Sequence, residues 1–146
     1  MTSDQLRKRL SLASHLWLSA FSVPVAAVEA LNGPQETVET MRQAFDERRR
    51  YMVERLNAID GIDCSLPEGA FYAYPDVSAF YGRKFGERQV SDSVSLCEYL
   101  LEEGLVACVP GVGFGTFEHM RLSYATSMEK IEEAMNRVEA SLAKLK

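Results

Sequence analysis

A long amphipathic stripe dominates the first half of the chain. Val38, Met41, Phe45, Met52, Leu56 and Ile59 recur at helical spacing, with Arg42, Asp46, Glu47, Arg50, Glu54 and Arg55 between them. The pattern predicts a helix of about six turns or more, from about Gln35 to Ile59, with one apolar face to cover. Asn32-Gly33-Pro34 separates it from an earlier helical stretch ending near Leu31, because Gly stops a helix and Pro can open one. Arg48-Arg49-Arg50 reads as a solvated face laced with weak ion pairs, Glu39, Glu47 and Glu54 standing near Arg42 and Arg50. A phosphate-binding patch is the alternative.

Beyond Gly61 the pattern shortens. Ile62-Asp63-Cys64 predicts a short strand, Leu66 to Gly69 a turn, and Ala70 to Pro75 a second strand rich in aromatics. Phe80 to Gln89 reads as a surface loop, and Ser91 as the N-cap of a helix through Glu103 with Val94, Cys97 and Leu101 inward. Gly104 ends that helix, Leu105 to Val109 is a buried strand, and Met120 to Ala125 is the last strand. Thr126-Ser127-Met128-Glu129 has the form of a capping box for a final helix, with Ile131, Met135, Val138, Leu142 and Leu145 on one face. Strands and helices are interspersed without regular βαβ alternation. The expected class is α+β: a small sheet of about four short strands packed with helices.

Composition narrows the function. The 146 residues suit one ordinary domain. The net charge of −5 demotes nucleic-acid binding. Cys64, Cys97 and Cys108 are an odd number without a CxxC pair, which points away from disulfide and zinc scaffolds and towards a reducing, cytoplasmic compartment. No segment has the apolar length of a membrane span. Arg7-Lys8-Arg9 before an apolar stretch loosely resembles a leader, but His15 and several serines interrupt it.

Chemistry-bearing patterns are sparse. In Met120-Arg121-Leu122-Ser123-Tyr124, alternation puts Arg121 and Ser123 on one face and the apolar residues on the other. Arg121 is then either an arginine on a solvated sheet face or a rigidly mounted fork for a carboxylate. Gly111, Gly113 and Gly115 fall short of a dinucleotide fingerprint, since residue 116 is Thr. His119 and Cys108 have no spacing that suggests a nucleophilic couple, and no histidine or carboxylate cluster suggests a metal. Phe71 and Tyr72 read as packing residues.

As motifs, four ordered segments resemble the C-terminal part of class I/II aminotransferases, enzymes that use pyridoxal phosphate. They are Ala30 to Glu36 running into Met41 to Phe45 and Arg48-Arg49; Pro67 to Asp76; Leu100 to Gly104 with Val109-Pro110-Gly111 and Phe114-Gly115; and Met120 to Ala125. The resemblance implies a small domain over residues 25–146 that packs against a larger cofactor-binding domain, with residues 1–24 a poorly matched segment. It implies that Arg121 grips the α-carboxylate of an amino-acid substrate and that Phe71 lines the pocket. The Schiff-base lysine, the partner of the pyridine nitrogen and the phosphate-binding groups lie upstream in the family. None of Lys8, Lys84, Lys130, Lys144 and Lys146 sits in the cofactor-lysine motif. No catalytic or cofactor-binding residue is therefore expected here, and the chain alone is expected to be inactive and without bound cofactor. Amino-acid and 2-oxo-acid substrates follow from the same resemblance; a homodimer is expected, and the charge and apolar lengths above leave no nucleic-acid or membrane partner expected. A related pyridoxal-phosphate lyase or synthase, and a non-catalytic module, remain as alternatives. The apolar stretch Leu16, Trp17, Leu18 and Phe21, together with Phe71 and Phe114, predicts self-association.

Overall fold

The computed structural model describes residues 22–146. The expectations for residues 1–21, the apolar stretch among them, lie outside the described residues. By its packing the chain divides into a unit running to Thr40 and a unit Met41–Lys146.

In the first unit, residues 22–32 are helical (α1) and a second helix, α2, begins at Glu36. Gly33 is the break. Its N–H donates to the Glu29 carbonyl at 2.7 Å, and a Cβ there would stand 2.5 Å from that oxygen. The Gln35 side-chain amide donates to the carbonyls of Ala30 and Gly33, so part of the helix end is satisfied locally. Val23, Val25, Val28, Leu31 and Val38 are exposed.

In the second unit α2 continues to Asn57. The expected stripe is buried only over its last turns, at Met52, Val53 and Leu56, while Met41 is exposed. Three short strands form an antiparallel sheet in the order β1-β5-β4: β1 Tyr72–Ala73, β4 Val109–Pro110 and β5 Met120–Ser123. Strands β2 Lys84–Phe85 and β3 Arg88–Gln89 make a separate hairpin. Helices α3, Ser93–Gly104, and α4, Met128–Leu142, complete the α+β arrangement. The core gathers Leu56, Phe80, Tyr99, Leu100, Met120, Tyr124, Met135 and Leu142, all fully buried or nearly so. Tyr99 donates to the Ser141 carbonyl at 2.7 Å, which satisfies its buried hydroxyl. Lys84 and Lys146 exchange backbone hydrogen bonds and pin residue 146 to the hairpin.

Several local expectations are corrected. The strand at Ile62–Cys64 reduces to one bridge between Asp63 and Asp76. Leu105 is no buried strand residue: it is 70% exposed and takes φ +55° at the end of α3. Gly104 remains inside the helix, where a Cβ would stand 2.9 Å from Ser141 Oγ, so its smallness serves contact with α4. The strand before the glycine loop shrinks to Val109–Pro110, because Leu105 turns left-handed at the end of α3 and the Val106 N–H bonds back to the Leu100 carbonyl at 3.1 Å. Asp92, not Ser91, caps α3. Its buried face carries Leu96, Cys97, Tyr99 and Leu100, while Val94 and Leu101 are exposed. Ser127 is the N-cap of α4, and its side chain makes no capping bond. The 80–89 loop contains the β2–β3 hairpin.

Candidate functional site

Strand β5 carries out the expected alternation. Met120, Leu122 and Tyr124 are buried, Ser123 is exposed and Arg121 is half-buried. Register places Tyr72 opposite Ser123 and Val109 opposite Arg121, so these four side chains share the outer face of the sheet. The Arg121 guanidinium carbon lies over the Tyr72 ring at 4.3 Å and over the Phe114 ring at 4.4 Å. Among the described residues, Arg121 is the only arginine over two rings, and no carboxylate or carbonyl pairs with it.

Several other arginines have acceptors, while Arg48, half-buried over the Phe45 ring, has none among the described residues. Arg49 and Arg50 both turn to Asp46, and Arg49 also donates to the Pro67 carbonyl at 2.6 Å. These contacts replace the expected Arg50 pairing with its neighbouring glutamates and hold the Asp46 carboxyl below its ordinary range, the Arg50 bond contributing most. Arg55 bridges to Glu139 and Asn136, tying α2 to α4. Arg88 pairs with Glu102 and Glu98 on α3.

The glycine loop explains how Phe114 reaches Arg121. Residues Gly111–Phe114 form a 3-10 turn, and Gly115 leaves it at φ +82°, a conformation that favours glycine. A Cβ on Gly111 would stand 2.4 Å from the His119 carbonyl oxygen, so the chain passes closely there. Tyr74 braces the loop: its hydroxyl lies 2.5 Å from Thr116 Oγ1, its ring stacks on His119 at 4.9 Å, and Phe114 meets it edge-on at 6.2 Å.

Phe71 reaches Arg121 only indirectly. It is 40% exposed, packs on Tyr72 with ring centroids 4.5 Å apart, and lies 6.3 Å from Phe45. Sequence reasoning missed Tyr72 and Phe114 as neighbours of Arg121. The strand alternation held a signal for Tyr72 once the β1–β5 register was known; an aromatic inside a glycine-rich turn was the signal for Phe114. Cavities lie elsewhere, among them one of 220 Å³ lined by Cys97, Leu101, Cys108 and Pro110. One of 240 Å³ is lined by Arg42, Phe45, Asp46, Arg49, Glu68 and Tyr124 among others. A largely apolar groove of 470 Å³ runs between Leu105–Ala107 and α4. Arg121 lines none of these and stands half-buried on the outer sheet face. Among the described residues there is no metal-holding cluster of His, Cys, Asp and Glu, and no helix long and apolar enough to cross a membrane.

Comparison with known proteins assigns the family. The sequence matches the family "Aminotransferase class I and II" over residues 1–138. The chain belongs to that family. It is 42% identical over 144 residues to an aspartate aminotransferase of Streptomyces avermitilis, covering 98% of this chain and 35% of that protein. It is 46% identical over 121 residues to an aspartate/prephenate aminotransferase of Cereibacter sphaeroides, covering 82% of this chain and 30% of that one. The crystal structure of the aspartate aminotransferase of Rhizobium meliloti matches with a TM-score of 0.80 at 41% identity, over 83% of this chain and 30% of that chain. The chain thus spans about a third of the length of the curated relatives it matches. The α+β fold with its small antiparallel sheet is the one these aminotransferase neighbours share.

The family implies pyridoxal phosphate in the full enzyme. That group needs an amine for its aldehyde and donors for its phosphate. The side chains assembled around Arg121 are Tyr72, Val109, Phe114 and Ser123, which offer aromatic walls and two hydroxyls but no amine. They do not form a cofactor cradle by themselves.

Proposed function

We propose that this chain is the C-terminal small domain of a pyridoxal-phosphate-dependent aminotransferase, and that Arg121 binds the α-carboxylate of the amino-acid and 2-oxo-acid substrates. The observation that carries the reading is a half-buried guanidinium over two rings, without an internal acceptor among the described residues. Such a cation has its charge and its in-plane donors available for an anion from outside, and a carboxylate matches that fork with two parallel hydrogen bonds. Strand β5 fixes the base of the side chain, so a bound acid would be held in one orientation. Phe71 borders this site only through its ring contact with Tyr72.

On this reading residues 25–146 are the domain, and the cofactor and its lysine belong to a large domain that closes over the outer sheet face. The full enzyme is a cytoplasmic homodimer. The three described thiols are free, which suits a reducing compartment. The chain alone is inactive.

The test is a chimera in which this chain replaces the corresponding third of the Rhizobium meliloti aspartate aminotransferase. The chimera should transaminate, while the 146-residue chain alone should not. Arg121→Lys in the chimera keeps the charge but loses the fork, and should lower kcat/KM by about 1–3 kcal/mol of transition-state binding for every amino acid tried, with cofactor content unchanged. Wild-type kinetics in that variant would return Arg121 to the role of a solvated strand residue.

A further inference from the structure

We propose that Tyr72 and Phe114 are positioning residues that fix the plane of the Arg121 guanidinium and leave only its edge open to a carboxylate. The inference rests on the reading of Arg121 as the carboxylate anchor and adds how that anchor is aimed. A guanidinium carries all five N–H donors in its plane and none on its faces. Rings stacked on those faces remove water without taking any donor, and the ring quadrupole offsets part of the charge's lost hydration. Arg121 Cζ lies 4.3 Å and 4.4 Å from the two ring centroids, and no Tyr72–Phe114 ring contact exists among the described residues. The rings therefore flank the cation rather than stack on each other.

Each ring is itself held. Tyr72 is fixed by its register opposite Ser123 and by the Phe71 ring packed against it at 4.5 Å. Phe114 is fixed by the turn that closes from Thr116 N–H to the Gly111 carbonyl at 3.2 Å, and by its edge contact with Tyr74. A long, flexible side chain is thereby confined before any ligand arrives, so less rotamer entropy is lost on binding. The Tyr72 hydroxyl has no part in this, since the face of the ring is what touches Arg121. The rings make the site selective for planar anions approached edge-on. A tetrahedral anion such as phosphate can take the same two bonds from the fork, but its remaining oxygens stand out of the guanidinium plane, towards the Tyr72 and Phe114 rings.

The experiment uses the isotope-labelled 146-residue chain and reads the Arg121 side-chain N–H resonance by NMR, with 2-oxoglutarate as the titrant and inorganic phosphate as the comparison. The wild-type signal should sit upfield, shielded by both rings, and should move saturably with 2-oxoglutarate and weakly with phosphate. Tyr72→Phe should preserve both features. Tyr72→Leu and Phe114→Leu should each shift the signal downfield and weaken 2-oxoglutarate binding about three- to tenfold. Phe114 is 48% exposed, so its variant keeps the core intact. A resonance insensitive to both leucine changes, with wild-type titration, would overturn the clamp alone. A ring-shielded resonance that ignores 2-oxoglutarate in every form would overturn the carboxylate reading and leave the ring contacts standing.

Discussion

Burial pushes the Cys97 thiol up to about 11 and the Cys108 thiol up to about 12. At pH 8 both then stay protonated, and the thiolate is the reactive form. The native chain should react with an aromatic disulfide reagent at these two positions at least about a hundredfold slower than after unfolding in urea. A thiol titration with and without urea measures this; prompt reaction of Cys97 in the folded chain would contradict its burial, and prompt reaction of the partly buried Cys108 would contradict its raised thiol. Arg121 shows what one residue can disclose. Its face was legible from alternation with Met120, Leu122 and Tyr124. Its two ring neighbours were not, because they come from residues 72 and 114 and meet only through the sheet register and the glycine turn. Local spacing carries no information about contacts that tertiary structure alone creates.

At the scale of elements, the N-terminus of α3 shows how a capping pattern was misread by one residue. Asp92 accepts from the Ser95 N–H at 2.8 Å, and Ser95 Oγ accepts from the Asp92 N–H at 3.1 Å, a reciprocal box built from a serine where Glu or Gln is more usual. The Ser95 backbone bond, first, and then its hydroxyl hold the Asp92 carboxyl below its ordinary range. Asp92→Ala should cost about 1 kcal/mol at pH 7 in urea unfolding. A lowered folded pKa gives stability that is present above the unfolded value and lost as pH falls through the folded one. The gap between wild type and variant should therefore hold from neutral pH down to the ordinary aspartate range and shrink below it. A gap that does not narrow in acid would mean that the carboxylate bond is not its source. The β2–β3 hairpin escaped prediction for a different reason. Lys84-Phe85 and Arg88-Gln89 are too short and polar to show alternation, and the signal lay in the Gly86-Glu87 pair, where Gly86 takes φ +59° as the first position of a two-residue hairpin turn can require.

At the scale of the whole molecule, the sheet of the Met41–Lys146 unit is covered on one side only. Its buried side holds Ala73, Met120 and Leu122. Its outer side and the glycine loop beside it leave Val109, Val112, Phe114 and Phe117 between 40% and 68% exposed, and Phe71 exposed as well. Large apolar side chains exposed together along one strand edge and its loop mark a surface made for contact. On the proposed reading the cover is the two-thirds of the enzyme that this chain does not span. The isolated chain should then meet its own copies instead, and a net charge of −5 opposes that only modestly. A two-fold dimer is the commonest way to bury one shared patch. Val112 and Phe117 contribute apolar area without touching the Arg121 guanidinium, so Val112→Ser with Phe117→Ser should weaken association while leaving the Arg121 ring contacts in place. Sedimentation over a wide concentration range would show a concentration-dependent rise in mass for the wild-type chain and a smaller one for the double variant, with hydrophobic-dye binding falling in parallel. A wild-type chain that sediments as a monomer throughout and binds no dye would mean that this face is not sticky in water, and that docking to a large domain would have to rest on polar contacts around Arg121.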